Sequence, residues 1–224
     1  MKRADRPASP FDAEFLKSGF DPSQPRDSDG KWTETGAQEA ADVAHYAREA
    51  SAAAALNGNL REGRALSPGQ ERMRQALEKS IAQAGASDTP RTVYRGAALP
   101  NEKVGPLLDA LGRGRRVELT LLGFQSTSLE YSVAASSGLN QPGKRQVVFQ
   151  IETRRGARLY EVSPHKSERE ILLGHAWTYE VTGHGTDNAG RMVLRLRETG
   201  VAKAIGKADD KFFQPADGII ISLE

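Results

Sequence analysis

The chain has 224 residues, of which 38% are hydrophobic and 27% charged. These values suit one compact domain with a modest extension and exclude disorder throughout. Cysteine is absent, so a disulfide framework, a thiolate zinc site and a cysteine nucleophile are all excluded. The net charge of +2 is too small by itself to indicate a nucleic-acid partner. The four histidines lack metal-ligand spacing, which predicts no metal site, and no apolar run approaches the ~20 residues of a membrane span.

The first 36 residues differ in composition from the rest of the chain. They are rich in proline and charge and show almost no apolar periodicity, which predicts a flexible leader or adaptor over residues 1–36 and a folded domain over residues 37–224. Residues 20–33 (FDPSQPRDSDGKWT) resemble a short segment of bacteriophage structural and head-associated proteins, although a plain disordered tail is the alternative. The start of the chain lacks the apolar core of a signal peptide. We therefore expect a cytoplasmic protein, or one that is delivered, secreted or virion-associated without a classical signal peptide.

Two helices are predicted at the beginning of the domain. Residues 37–56 are rich in alanine, and the Asn-Gly-Asn segment at residues 57–59 is expected to end this helix. A second helix is predicted to begin at Ser67, a hydroxyl cap followed by proline and, three residues later, by Gln70. Its predicted core face has apolar residues spaced one turn apart: Met73, Leu77, Ile81 and Ala84.

Short apolar segments separated by glycine and polar turns follow Pro90, a pattern that is typical of strands. We predict strands at residues 92–94, 117–122, 124–128, 146–152, 158–162, 170–173, 177–182, 191–197 and 218–223, and one short helix at residues 103–111. Because helices come first and strands afterwards, the predicted fold class is α+β without βαβ winding.

The first candidate motif is TVYRG at residues 92–96. Arg95 at the end of an apolar strand presents a fixed set of donors beside the bare backbone of Gly96, an arrangement that suits a phosphate or a carboxylate. A solvated arginine at the end of a strand is the alternative.

The second candidate motif is a run of three hydroxyl residues. In an extended chain Ser126 and Ser128 face one side and Thr127 faces the other. Such hydroxyls can orient a carboxylate or a sugar, but edge strands and turns also use them. No histidine or aspartate at a known triad spacing indicates a serine nucleophile here.

The third candidate motif is Ser-Glu-Arg-Glu at residues 167–170. It also fits a helix cap, in which Glu168 and Glu170 would point apart by about 200°. Gly174 arrives after only three apolar residues, and residues 177–181 alternate as the returning strand of a hairpin would, so we favour a strand with both carboxylates on one face. Neighbouring carboxylates repel, which predicts a raised pKa for one of them.

The order of the three motifs resembles that of a known family. A strand arginine is followed by Ser-Thr-Ser and then by Glu-x-Glu, as in the arginine–serine–glutamate class of mono-ADP-ribosyltransferases, which includes bacterial toxins. The resemblance covers residue 37 to the C-terminus and includes the segment at residues 57–61. It implies a helical N-terminal part packed on two small, mostly antiparallel β-sheets that form an NAD cleft. It also implies NAD as a co-substrate and no metal.

The resemblance assigns a role to each residue of the first two motifs. Arg95 would hold the NAD diphosphate, and the backbone at Gly96 would hold the nicotinamide carboxamide. Ser126 would orient the catalytic glutamate, with Thr127 and Ser128 supporting the cleft wall.

The same resemblance separates the two glutamates of the third motif. Glu170 would hold the nicotinamide ribose and stabilise the oxocarbenium-like transition state. Glu168 would receive and deprotonate the acceptor, and a glutamate at this position accompanies arginine acceptors in the family. His165 stands in the acceptor-recognition turn, where the family often has an aromatic residue.

The resulting hypothesis is a mono-ADP-ribosyltransferase that moves ADP-ribose from NAD to arginine side chains of a target protein and releases nicotinamide. The alternatives are a NAD glycohydrolase and a non-enzymatic phage-associated binding or assembly module. The expected partners are a target protein with an exposed arginine and, for a phage or toxin protein, the phage particle or an immunity partner. Nucleic acid and membrane are not expected.

Overall fold

The structure, a computed structural model, describes residues 34–137, 142–202 and 218–223, with side chains from residue 37. The helices in these ranges are α1 (Glu34–Arg48), α2 (Ala50–Glu62), α3 (Pro68–Ala84), α4 (Asn101–Gly112) and α5 (Tyr131–Ser137). The strands are β1 (Arg91–Pro100), β2 (Val117–Leu121), β3 (Gln125–Ser128), β4 (Lys144–Thr153), β5 (Ala157–Arg158), β6 (Glu170–Leu173), β7 (Trp177–Thr186), β8 (Met192–Val201) and β9 (Ile219–Leu223). None of the described helices is long and apolar enough to cross a membrane. The predicted leader and its phage-like segment lie outside the described residues, except that α1 begins at Glu34.

The nine strands form one sheet in the order β5-β6-β3-β1-β4-β8-β7-β2-β9. Neighbouring strands are antiparallel except β4 and β8, so the α+β class and the mostly antiparallel pairing are confirmed. The prediction of two separate sheets is wrong for the described strands. Strand β1 pairs with β4 along its whole length and with β3 at Tyr94 opposite Ser128, and it therefore joins the two halves.

The predicted first helix is two helices, with a break at Glu49. Helix α2 runs through the Asn-Gly-Asn segment that was expected to end it, and it ends at Gly63, whose φ of 62° is left-handed. The polar groups of Asn57 are used in tertiary contacts. The side chain is buried, donates from Nδ2 to the hydroxyl of Tyr46 at 2.9 Å and accepts from the backbone N of Phe124 at 2.7 Å.

Helix α3 begins as the sequence predicts. The hydroxyl of Ser67 accepts from the backbone N of Gln70, and the Gln70 side chain accepts from the backbone N of Ser67, which is a complete capping box. Met73, Leu77 and Ile81 are buried as predicted, but Ala84 is exposed, because α3 ends there, and Ala76 is buried on the core face.

The main hydrophobic core lies between one face of the sheet and helices α1 to α4. Along β4, Val147, Phe149 and Ile151 belong to this core, whereas Val148 lies on the opposite face because side chains alternate along a strand. Helix α5, which the sequence reading did not predict, covers Val148 with Ala134 and Ala135.

Two strand predictions in the second half of the chain are corrected. The segment at residues 158–162 forms only the end of β5, followed by a 3-10 turn at Leu159–Glu161. Strand β7 is present, but it is not the hairpin partner of β6: it pairs with β2 and β8. Both edges of β6 are already taken, by β3 and by β5, so β7 has to pair elsewhere.

Candidate active site

The three sequence motifs meet on three neighbouring strands. Arg95 lies on β1, Ser126 on β3 and Glu170 at the start of β6, in the part of the sheet with the order β6-β3-β1. Together with Glu168 these side chains line a cavity of about 170 Å³, whose wall also includes Gly96. The topology therefore brings residues separated by more than seventy positions to one site.

Ser126 connects the other two strands at this site. Its hydroxyl donates to the Glu170 carboxylate, and its backbone carbonyl accepts from Nη1 of Arg95 at 2.7 Å. Ser128 is directly opposite Glu170 in the register, so Ser126 is the diagonal cross-strand neighbour of Glu170. A guanidinium, a hydroxyl and a carboxylate are thus held in a fixed order by strand pairing.

The other two hydroxyl residues of β3 hold backbone groups. Thr127 is buried and donates to the carbonyl of Ile171 at 2.6 Å. Ser128 is also buried and donates to the carbonyl of Glu168 at 2.5 Å. Both side chains therefore fix the chain segment that carries the two glutamates.

Glu168 and Glu170 line the same cavity, but the backbone conformation that places them there is a turn followed by a strand, not the continuous strand that was predicted. Glu168 ends a 3-10 turn at Lys166–Glu168 and does not belong to the strand. Arg169, with φ 47° and ψ 48°, is left-handed and joins this turn to β6. This turn directs both carboxylates toward the cavity, while Arg169 pairs with Glu130 at 2.7 Å.

The environment raises the pKa of the Glu170 carboxyl. Burial is the main cause and the negative charge of Glu168 adds to it, while the hydrogen bond from Ser126 and the positive charges of Arg95 and His165 act in the opposite direction. A raised pKa in a cavity with a specific charge partner is typical of a functional carboxylate.

Arg61 does not line the cavity, but its charge acts on Arg95, and the sequence analysis assigned it no role. Burial lowers the pKa of the Arg95 guanidinium, and the positive charge of Arg61 lowers it further. Within the described part of the chain, the buried Nε of Arg61 has no hydrogen-bond partner. The segment at residues 57–61 was part of the family resemblance, but that resemblance assigned no function to Arg61.

Two of the predicted residues differ in their relation to the cavity. Gly96 lines it, whereas His165 is exposed and lies in the turn before Glu168, outside the cavity wall. His165 is nevertheless near enough to Glu170 to lower the pKa of that carboxyl. Among the described side chains, no group of three or more histidines, aspartates and glutamates could hold a metal ion.

A larger cavity of about 370 Å³ lies elsewhere and contains none of these residues. Its arginines are engaged with neighbouring groups: Arg155 pairs with Glu198 and Arg197 pairs with Glu180. The smaller cavity is therefore the better candidate, because convergent polar groups and a carboxylate with a raised pKa mark a reactive site better than volume does.

Comparison with known proteins agrees with this geometry. The family model for NAD:arginine ADP-ribosyltransferase matches residues 43–203, well over half of the chain. A comparison with curated protein sequences finds no significant match.

Several solved structures share the fold at low sequence identity. Exoenzyme S from Pseudomonas aeruginosa, solved with human 14-3-3 protein beta and carba-NAD, is 22% identical with a TM-score of 0.57, over 89% of this chain and 90% of that one. The C3 exoenzyme of Clostridium limosum is 16% identical with a TM-score of 0.55, over 84% and 90%. The Vis toxin of Vibrio splendidus is 15% identical with a TM-score of 0.54, over 88% of both chains.

The family match, together with a fold shared with bacterial ADP-ribosyltransferases, covers the part of the chain that builds the cavity. The chain belongs to the NAD:arginine ADP-ribosyltransferase family and is an ADP-ribosyltransferase with NAD as its co-substrate.

Proposed function

We propose that this enzyme transfers ADP-ribose from NAD to the guanidinium group of arginine side chains in a target protein and releases nicotinamide. The observation that carries the proposal is the placement of Glu168 beside Glu170, which Ser126 holds, in one cavity next to Arg95. Two carboxylates in one site can divide the work between the ribose, on which positive charge develops, and the acceptor.

NAD binding is assigned to the side of the cavity formed by β1. Arg95 uses one donor for the carbonyl of Ser126, which leaves further N–H groups for the diphosphate. Arg61 lies outside the cavity wall but its charge acts on Arg95, so it supplies a second cation for a group with two negative charges. Gly96 has no side chain, so the nicotinamide carboxamide can approach its backbone.

Glu170 is the residue that stabilises the transition state. When the bond between nicotinamide and C1′ of the ribose breaks, nicotinamide leaves with the electron pair and positive charge develops on the ribose. The Glu170 carboxylate, held by Ser126, interacts more strongly with this cation than with neutral ribose and so lowers the barrier. Thr127 and Ser128 keep the backbone of this segment in place.

Glu168 is assigned to the acceptor. A nitrogen of the acceptor guanidinium forms the new bond to C1′, and Glu168 takes the proton that this nitrogen loses. Glu168 is exposed, and the exposed His165 lies three residues before it, so both can contact a protein at the mouth of the cavity. The family description names arginine, and a structural neighbour, the ADP-ribosyltransferase Vis, has been solved in complex with agmatine, a small guanidine.

The test separates the transfer of ADP-ribose from the hydrolysis of NAD. Wild type and Glu168→Gln are incubated with labelled NAD, with agmatine or a host lysate, and modified residues are identified by mass spectrometry. We expect modified arginine with the wild type, and a loss of transfer with Glu168→Gln that is larger than its loss of NAD hydrolysis. Free ADP-ribose as the sole product would identify a NAD glycohydrolase, and equal loss of both activities would refute the acceptor role of Glu168.

A further inference from the structure

The turn that carries Glu168 is held in a conformation that its own residues do not favour. Arg169 is left-handed, a conformation that is unfavourable for a residue with a side chain, because its Cβ comes too close to the following carbonyl oxygen. Glu168 is also outside the sheet, because β6 begins only at Glu170. Its position therefore depends on what holds the turn.

The contacts that hold this turn come from one short segment at the end of β3, residues 128–130. The hydroxyl of Ser128 donates to the carbonyl of Glu168, and the backbone N of Leu129 donates to the carbonyl of Arg169 at 3.3 Å. Nη1 of Arg169 donates to Oε1 of Glu130 at 2.7 Å, and the Glu130 backbone N donates to the Ser128 hydroxyl at 2.8 Å. The strand that positions Glu170 through Ser126 thus also positions Glu168 through its last residue and the two that follow.

Of the contacts between residues 128–130 and the turn, only the ion pair between Glu130 and Arg169 joins two side chains that lie outside the cavity wall. Its side chains are 55% exposed at Arg169 and 44% at Glu130, so it can be removed without opening the core. Leu129 contributes a backbone group that a substitution leaves in place, and Ser128 is buried and lines the cavity. Glu130 and Arg169 are therefore the residues through which the position of Glu168 can be changed separately from that of Glu170.

We infer that the ion pair between Glu130 and Arg169 is a positioning device for Glu168, and that it sets the rate of transfer to the acceptor without setting the rate of NAD cleavage. This inference rests on the proposed acceptor role of Glu168. Glu170 and Arg95 are fixed by strands β6 and β1, so the step at the ribose does not require the ion pair.

The first test compares kinetics in Glu130→Gln, Arg169→Gln and the double variant. An exposed ion pair predicts a loss of kcat/KM for agmatine of about two- to five-fold in each single variant. The double variant is expected to be no worse than the single ones, because all three lose the same interaction. Exchanging the charges, with Glu130→Arg and Arg169→Glu together, is expected to restore transfer, and NAD hydrolysis without acceptor is expected to stay at the wild-type rate throughout.

The matched control is Glu180→Gln, which removes a surface ion pair with Arg197 on strands β7 and β8, beyond β1 and β4 in the sheet. It is expected to change neither activity. Equal losses of transfer and hydrolysis in Glu130→Gln, or additive losses in the double variant, would overturn the inference.

The second test measures the turn itself and needs no acceptor. The backbone N of Arg169 donates to the carbonyl of Lys166, so the amides of Leu129 and Arg169 report whether the turn is closed. Amide hydrogen exchange at these two positions is expected to be about two- to five-fold faster in Glu130→Gln than in wild type. Unchanged exchange would refute the positioning role, whereas a wild-type enzyme that modifies no arginine would refute the proposed acceptor and leave the exchange result to decide on the ion pair.

Discussion

Glu170 is the residue whose chemistry the cavity changes most clearly. It is half-buried, accepts a hydrogen bond from Ser126 and has a raised pKa, chiefly because of burial. Replacing it by glutamine keeps its size and removes its charge. We expect Glu170→Gln to lower the rate of ADP-ribose transfer by about 10²–10⁴, the range for a positioned acid, base or electrostatic group. Nicotinamide release measures the bond cleavage that transfer and hydrolysis share, and turnover close to wild type would contradict the role given to Glu170.

The pH dependence of NAD hydrolysis follows from the same carboxyl. Glu170 acts as an anion, so activity falls as the pH falls through its pKa, which lies above the ordinary 4.5. Glu168→Gln removes a negative charge that raises this pKa, so the acid limb of kcat is expected to move to lower pH. A pH profile of both enzymes measures the shift, with Glu180→Gln as a control for a distant carboxylate. If the acid limb of the kcat profile were at the same pH in both enzymes, the protonation of Glu170 would not be what determines it.

Helix α2 and the turn between β6 and β7 position the start of β3 through side chains outside the cavity wall. Asn57 on α2 accepts from the backbone N of Phe124, directly before β3, and the neighbouring Gly123 backbone N donates to Nδ1 of His175 at 2.8 Å. Burial lowers the pKa of His175, and the charge of Arg74 lowers it further, so the imidazole stays neutral and able to accept. The start of β3 is thus held from two sides.

Removing the first of these contacts leaves a buried N–H without a partner. We expect Asn57→Ala to lower the free energy of unfolding by about 1–3 kcal/mol, the cost of such a group. Urea denaturation measures this change. Ser51→Ala, an exposed change on the same helix, serves as the control and is expected to change stability by less than about 0.5 kcal/mol. An equal effect of the two substitutions would show that the contact to Phe124 is not required.

The elements that the sequence predicts correctly are those determined by residues close together in the chain. The capping box of α3 and the strand patterns around Arg95 and Ser126 depend only on near neighbours. That the motifs share one site was implied by the resemblance to the family, not by these local patterns. The path of α2 through Asn57 was missed because its amide is satisfied by Tyr46 and Phe124, which are distant in sequence. Arg61 was missed for the same reason, since the effect of its charge on Arg95 arises only in the folded chain.

At the scale of the whole molecule, the raised pKa of Glu170 predicts that this carboxyl reduces the stability of the fold at neutral pH. A carboxyl whose pKa is raised on folding binds more protons in the folded state than in the unfolded state between pH 4.5 and the raised value, so stability falls as the pH rises through that window. We expect Glu170→Gln to be more stable than wild type at pH 7 and equal to it below pH 4.5, where both side chains are neutral. Thermal unfolding at the two pH values measures the difference, and a variant less stable at pH 7 would contradict it.

The two halves of the sheet meet at a very short seam. Strands β1 and β4 share ten ladder positions, whereas β1 and β3 share the single pair of Tyr94 and Ser128, beside the cavity. A junction held at one position bends more readily than one held along a full strand. We therefore expect the molecule to be most compliant at the proposed NAD site, where a long dinucleotide would enter, and stiff on either side of it.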